Sequence, residues 1–152
     1  MRLSTFSDYT LRVLMFLAIE QGRLATIPEI AAAYGISDNH LMKVVHQLAR
    51  SGLIESMRGK GGGIRLARKP EEIRLGEVVR ISEGSGAIVE CQSDGPVACR
   101  IAPACGLPGI LGRAFESLYA TLDEYTLADL VSNPRPLAAA LVRREPKRPI
   151  AP

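Results

Sequence analysis

Tryptophan is absent from this chain of 152 residues, and aromatic side chains are few: four tyrosines and three phenylalanines. The core therefore has to be mainly aliphatic, and an apolar content of 47% is enough to build one. A run long enough to cross a bilayer is also missing. The longest uncharged apolar stretch is Val13 to Ile19, whereas a spanning helix needs about 20 residues. The N-terminal apolar run is broken by Arg12 and ends at Glu20 without a small-residue cleavage site, so it does not read as a secretory leader. Cysteine occurs only three times, an odd number and too few for the disulfide framework of a small secreted protein. These absences predict a soluble, cytoplasmic protein with reduced thiols. No nucleophile triad or catalytic carboxylate pair is visible. Gly59-Lys60-Gly61 lacks the spacing of a nucleotide-binding phosphate loop, so an enzyme is not expected.

What the chain does have is an uneven charge. The net charge is +3, but residues 1–70 hold 10 Lys/Arg against 5 Asp/Glu, and residues 71–152 hold 9 against 11. A polyanion would sit on the first half.

That half carries a recognisable order of elements. Ser4, Thr5 and Ser7 offer capping oxygens, so a helix is predicted to start near Ser7, with Leu11, Leu14, Met15 and Ala18 on one face and Gly22 at its end. Asp8 then lies in the first turn, where its charge favours the positive end of the helix dipole. Thr26-Ile-Pro-Glu29 is a capping box that opens a second helix, closed by Gly35. Ser37 caps a third helix over about residues 38–51, with Leu41, Val44, Val45 and Leu48 inward. Its outer face carries Asn39, Lys43, His46 and Arg50, with His40 beside them. Amides, imidazoles and cations at this place in a helix-turn-helix suit the base edges and phosphates of a major groove. Leu53–Met57 and Ile64–Ala67 read as two short strands. Between them lies Arg58-Gly-Lys60-Gly-Gly-Gly63, a cationic glycine tip fit for a minor groove.

The second half is organised around Cys91, Cys99 and Cys105, which fall in a single stretch of 15 residues broken by Gly95, Pro96 and Pro103. An irregular loop that gathers thiols suits a soft metal or a cluster. Structural zinc usually takes paired cysteines two to four residues apart, but here seven and five residues intervene. An iron–sulfur cluster tolerates looser spacing, and three thiolates leave one iron site to a weaker, more exchangeable donor. Beyond the loop, Pro108 suits a helix start, and Leu111, Phe115, Leu118, Leu122 and Tyr125 form a heptad seam suited to pairing. Residues 132–152 hold five prolines and the cations Arg143, Arg144, Lys147 and Arg148. They are predicted to be a mostly disordered basic tail, with at most a short helix around Leu137–Val142.

The fold class is thus mostly α with a small β-hairpin wing: a winged helix-turn-helix over 1–82, a cysteine loop over 83–107, a dimerisation helix over 108–131 and a tail over 132–152. Ser7-Asp-Tyr-x-Leu-Arg12, Tyr34-Gly-Ile-Ser37, Leu53, the wing from Arg58 to Leu66, the Cys99-x5-Cys105 pair and Tyr125-Thr-Leu-Ala-Asp-Leu-Val131 together resemble the family of nitric-oxide-sensitive NsrR-type repressors. They resemble the IscR-type regulators less closely. Those carry a histidine three residues after the last cysteine, where Pro108 stands here. The gap from Cys91 to Cys99 is slightly longer than is usual in the NsrR type.

The resemblance covers about residues 1–132. It implies a homodimeric winged-helix repressor with a [4Fe–4S] cluster on Cys91, Cys99 and Cys105, and with Asp8 of the partner subunit as fourth ligand. It also implies Arg12 as a relay and nitric oxide as the signal that releases a palindromic operator. Within this reading Ser37, Asn39, His40, Lys43, Arg58, Lys60 and Arg65 are the DNA-contacting residues. A [2Fe–2S] form on air exposure is a further expectation. Two other readings stand beside it: a regulator answering cluster supply or redox state, and an iron–sulfur electron carrier without DNA affinity.

Overall fold

The structure, a computed structural model, describes residues 2–84, 89, 91 and 99–142. Seven helices and one hairpin follow one another among these residues. Helix α1 (Thr5–Ile19) runs through the centre. Ser4 caps it by accepting the Ser7 amide at 3.1 Å, so the helix opens two residues before the expected Ser7. Helix α2 (Ile27–Tyr34) carries the predicted capping box: Thr26 Oγ1 accepts the Glu29 amide, and the Glu29 carboxylate accepts the Thr26 amide. Gly35 ends it with φ of 66°, a left-handed turn that costs a glycine least. After Ile36 and Ser37 the chain enters α3 (Asp38–Arg50).

Strands β1 (Ile54–Met57) and β2 (Gly63–Leu66) pair antiparallel, with Ile54 opposite Leu66 and Met57 opposite Gly63. Ile64 also exchanges backbone bonds with Ala25, which ties the wing to the linker between α1 and α2. A 3₁₀ turn at Pro70–Glu72 leads into α4 (Leu75–Glu83). Val13 and Leu14 of α1, Ile30 of α2, Leu41, Val44 and Leu48 of α3, Leu53, Ile73, and Val78 of α4 have no exposed surface. This aliphatic core fixes α3 across α1 and leaves the outer face of α3 to solvent.

The second half departs from expectation in two places. A continuous helix over 108–131 does not form. Helix α5 (Leu107–Asp123) ends at Glu124, and a separate α6 (Leu127–Leu130) follows. The break has a backbone cause. The Leu75 amide donates to the Tyr125 carbonyl, and the Leu127 amide donates to the Ile73 carbonyl, so the chain is drawn back onto the head. Asp129 caps the new helix by accepting the Thr126 amide at 2.6 Å, and Leu127 is fully buried. Tyr125, read as the end of the seam, lies off the helix and is 51% exposed.

The first part of the expected tail is also ordered. Helix α7 (Pro134–Val142) starts three residues before the short helix foreseen, and Leu141 packs on the core between α1 and α2. Leu137, Ala138 and Leu141, at i, i+1 and i+4, form its half-buried apolar side, while Ala139 and Ala140 are exposed. The cations Arg143, Arg144, Lys147 and Arg148 lie outside the described residues, as does most of the loop between Gly84 and Cys99.

Candidate nucleic-acid interface and cluster site

The outer face of α3 is built by default. With Leu41, Val44, Val45 and Leu48 inward, the helical period leaves Asn39, Lys43, His46 and Arg50 exposed. Ser37 occupies the cap position, but its hydroxyl makes no cap bond. It lies 2.9 Å from His40 Nδ1 instead, which orients the imidazole at the leading end of the helix. Asp38 is the only acid on this helix.

On the wing, Arg58 and Lys60 are exposed at the tip. Gly59 (φ 101°) and Gly61 (φ 79°) supply the turn, and the Gly62 amide closes it on the Gly59 carbonyl at 2.9 Å. A side chain at Gly62 would run into the Met57 carbonyl. Arg65 stands lower, on the shaft, opposite Glu55 in the ladder. Its Nε donates to Glu55 Oε1 at 2.5 Å, so its charge is partly matched before any DNA arrives.

Asp8 lies in the first turn of α1, half exposed. Arg12, one turn on, grips it through Nη2 to Oδ2 at 2.8 Å and Nε to Oδ1 at 3.1 Å. The same guanidinium stands over the ring of Tyr9 at 5.9 Å and over that of Tyr34 at 5.8 Å. Burial raises the Tyr34 phenol above its ordinary pKa, against a smaller opposing pull from Arg12. The Tyr9 ring in turn lies 6.1 Å from that of His40, tilted at 52°. Asp8, Arg12, Tyr9, His40 and Ser37 therefore form a continuous line of contacts from the head of α1 to the start of α3. Asp8 and Arg12 open on a cleft of about 440 Å³, walled also by Met15, Tyr34, Leu137 and Leu141.

All three cysteines are free thiols: Cys91 and Cys105 half-buried, Cys99 exposed. A 3₁₀ turn (Ala102–Ala104) links the last two, with the Ala102 amide on the Cys99 carbonyl at 3.2 Å and the Cys105 amide on the Ala102 carbonyl at 3.4 Å. Among the described residues, no three His, Cys, Asp or Glu side chains converge on a metal position. The donor set suits an iron–sulfur cluster: three soft thiolates and, on α1, one harder carboxylate.

Sequence reasoning missed two groups here. Glu83, the last residue of α4, reaches α1: its Oε1 accepts the Ser7 hydroxyl at 2.5 Å and the Ser4 amide at 2.7 Å. Partial burial pushes this carboxyl up, but the bonds from Ser7 and Ser4 outweigh it and hold the group below its ordinary value. Arg80 forks onto Asp123 at 2.9 and 2.5 Å and stacks over Tyr119 at 4.7 Å, clamping α5 to α4. No local pattern signals either contact, because the partners are more than 40 residues apart.

The sequence pattern of the family described as "Rrf2: Iron-dependent Transcriptional regulator" matches residues 3–133. The chain belongs to the Rrf2 family. Among its relatives, the HTH-type transcriptional regulator NsrR of Bacillus subtilis is 48% identical over 146 residues, which is 95% of this chain and 100% of that one. NsrR of Shouchella clausii is 44% identical over 142 residues, covering 93% and 95%. Of solved Rrf2-like structures, the B. subtilis cysteine regulator CymR superposes with a TM-score of 0.68 at 30% identity, over 87% of this chain and 97% of that one. The T. potens IscR gives 0.68 at 25% identity, over 96% and 93%. As a member of the Rrf2 family the chain is a DNA-binding transcriptional regulator with a winged helix, and not an enzyme.

Proposed function

We propose that this Rrf2 protein is a homodimeric repressor that holds a [4Fe–4S] cluster on Cys91, Cys99, Cys105 and the partner subunit's Asp8, and that leaves its operator when nitric oxide arrives. The observation that carries this is the line of contacts from Asp8 through Arg12 and Tyr9 to His40. It gives a half-exposed carboxylate on α1 a physical route to the helix that reads DNA. The 48% identity to a regulator named NsrR along that protein's whole length supports the same reading.

When bound, the cluster supplies iron that reacts with nitric oxide. The chain's own residues do the rest. A carboxylate spent on a metal is not available to Arg12, and one released from it is. In this subunit Asp8 and Arg12 are paired, so the guanidinium already stands where a freed carboxylate would meet it. Arg12 pulled onto Asp8 shifts its charge across the rings of Tyr9 and Tyr34, and Tyr9 abuts His40. Movement of His40 and Ser37 displaces the leading end of α3, where Asn39 and Lys43 meet base edges. Arg58, Lys60 and Arg65 hold the backbone and the minor groove. The operator is a palindrome, with two α3 helices about one turn of DNA, roughly 34 Å, apart.

The test is anaerobic. Protein with about four iron and four sulfide per chain should bind one operator tightly and release it on adding nitric oxide, and Asp8→Ala should hold its cluster more weakly. Zinc or no metal in the purified protein sinks the cluster. A second reading, a response to cluster supply or redox state, is favoured by the exposure of the Cys99 thiol. Release by chelator or oxygen, with none by nitric oxide, would select it.

A further inference from the structure

The bond between α1 and the end of α4 has no part in reading DNA and none in the ligand set. Ser7 has no exposed surface, and its hydroxyl meets Glu83 Oε1 at 2.5 Å and Ser82 Oγ at 2.8 Å. The Ser4 amide, one of the orphan donors at the head of the helix, reaches the same Glu83 oxygen at 2.7 Å. Two facts of sequence give this contact its interest. Ser7 directly precedes Asp8. Glu83 is the last residue of α4, capped by Gly84 (φ 71°), and stands eight residues ahead of Cys91 in the sequence.

We propose that Glu83 is a positioning residue for Asp8, locking the first turn of α1 to the root of the cysteine loop in the same subunit. The inference rests on Asp8 being a cluster ligand. The first turn of a helix frays readily, and a carboxylate on frayed backbone is a poor ligand because it must be ordered each time it binds. With Ser4 and Ser7 tied to Glu83, the backbone at Asp8 is fixed, and side-chain rotation alone carries the carboxylate between Arg12 and a metal. The same tie places the root of the subunit's own cysteine loop and the ligand it offers to the partner on one rigid piece. A shift at either is felt at the other.

Two measurements test this. The first uses cluster-free protein. Hydrogen exchange in peptides covering residues 2–10 should be about tenfold faster in Glu83→Ala than in the wild type. It should be unchanged in Glu77→Ala, which removes a carboxylate from the same helix that pairs instead with Arg68. The second follows cluster loss to a chelator. Glu83→Ala should shorten the cluster's lifetime about tenfold when Asp8 is present and add nothing in an Asp8→Ala background. Glu83→Gln, which keeps an acceptor oxygen, should restore most of that lifetime.

Unchanged exchange, an unchanged lifetime, or equal acceleration in both backgrounds would overturn the proposal. A wild-type chain that takes up no iron and sulfide would overturn the cluster assignment itself. The exchange measurement would then still decide whether Glu83 holds the first turn.

Discussion

Asn39 and Lys43 stand one turn apart on the exposed face of α3, and neither is engaged in a described ion pair or side-chain hydrogen bond. Lys43→Ala should therefore leave folding intact and act on recognition alone. A base contact of this kind is worth about 1–3 kcal/mol of discrimination. Anisotropy titrations with operator and scrambled duplexes should show affinity falling on the operator while the scrambled duplex changes little. Equal losses on both would place Lys43 on a phosphate instead. Leu14 is the opposite kind of residue, fully buried where α1 crosses the core. Leu14→Ala should cost about 2–5 kcal/mol in denaturant unfolding, because the cavity lies where several elements meet and cannot collapse. Both placements, one exposed and one buried, were legible in the sequence, since a period of 3.6 sorts the residues of α1 and α3 into two faces. Arg65 was less so: its alternation in β2 gave its exposure, but only the register of the hairpin shows that it faces Glu55.

The wing and the α4–α5 joint are elements that act as units. Arg58 sits on a glycine tip with no carboxylate partner described, so Arg58→Ala should weaken binding to all sequences and lower the salt slope by about 1; an unchanged slope would remove the wing tip from the interface. At the joint, Arg80 draws the Asp123 carboxyl below its ordinary value, with Arg74 adding a weaker pull. A depressed folded value means that the clamp's contribution is fully present above the unfolded pKa and fades as pH falls through the lower, folded one. Exchange protection along α5 should thus decline below about pH 4, and an Arg80→Ala variant should lose that dependence. Gly76→Ala would strike the Asp123 carboxylate and the Tyr119 carbonyl at the same joint. The capping box at Thr26, the turn at Gly35 and the hairpin were readable because each is written within a few neighbouring residues. The end of α5 was not. The heptad spacing continues to Tyr125, but the backbone leaves the helix to pair with Ile73 and Leu75, some 50 residues away. The bond from Ser7 to Glu83 was hidden for the same reason.

At the scale of the whole molecule, α5 is a 17-residue helix with no buried residue, held to the head along one side by Arg80, Asp123 and Tyr119. Next to that side run Leu107 and Ile110, 50% and 56% exposed, with Leu111, Phe115 and Leu118 half-buried and the Phe115 ring 6.4 Å from that of Tyr119. An apolar stripe of that length in water calls for a partner, and a second copy of the same stripe is the simplest one. Pairing there would also set the distance between the two α3 helices, and assembly and operator recognition would then be one property. Ile110→Glu places a charge in the N-terminal half of the stripe, on a side chain that is mostly exposed. Sedimentation should show wild type as a dimer and the variant as a monomer with the same far-ultraviolet dichroism. Operator affinity should fall about 100-fold or more, since a monomer reads one half-site and loses the effective concentration of the second. Affinity for a single half-site should stay within about twofold of the wild type. A variant that remains dimeric would move the interface off α5. One that becomes monomeric yet keeps full operator affinity would break the link between pairing and recognition, and with it the palindrome.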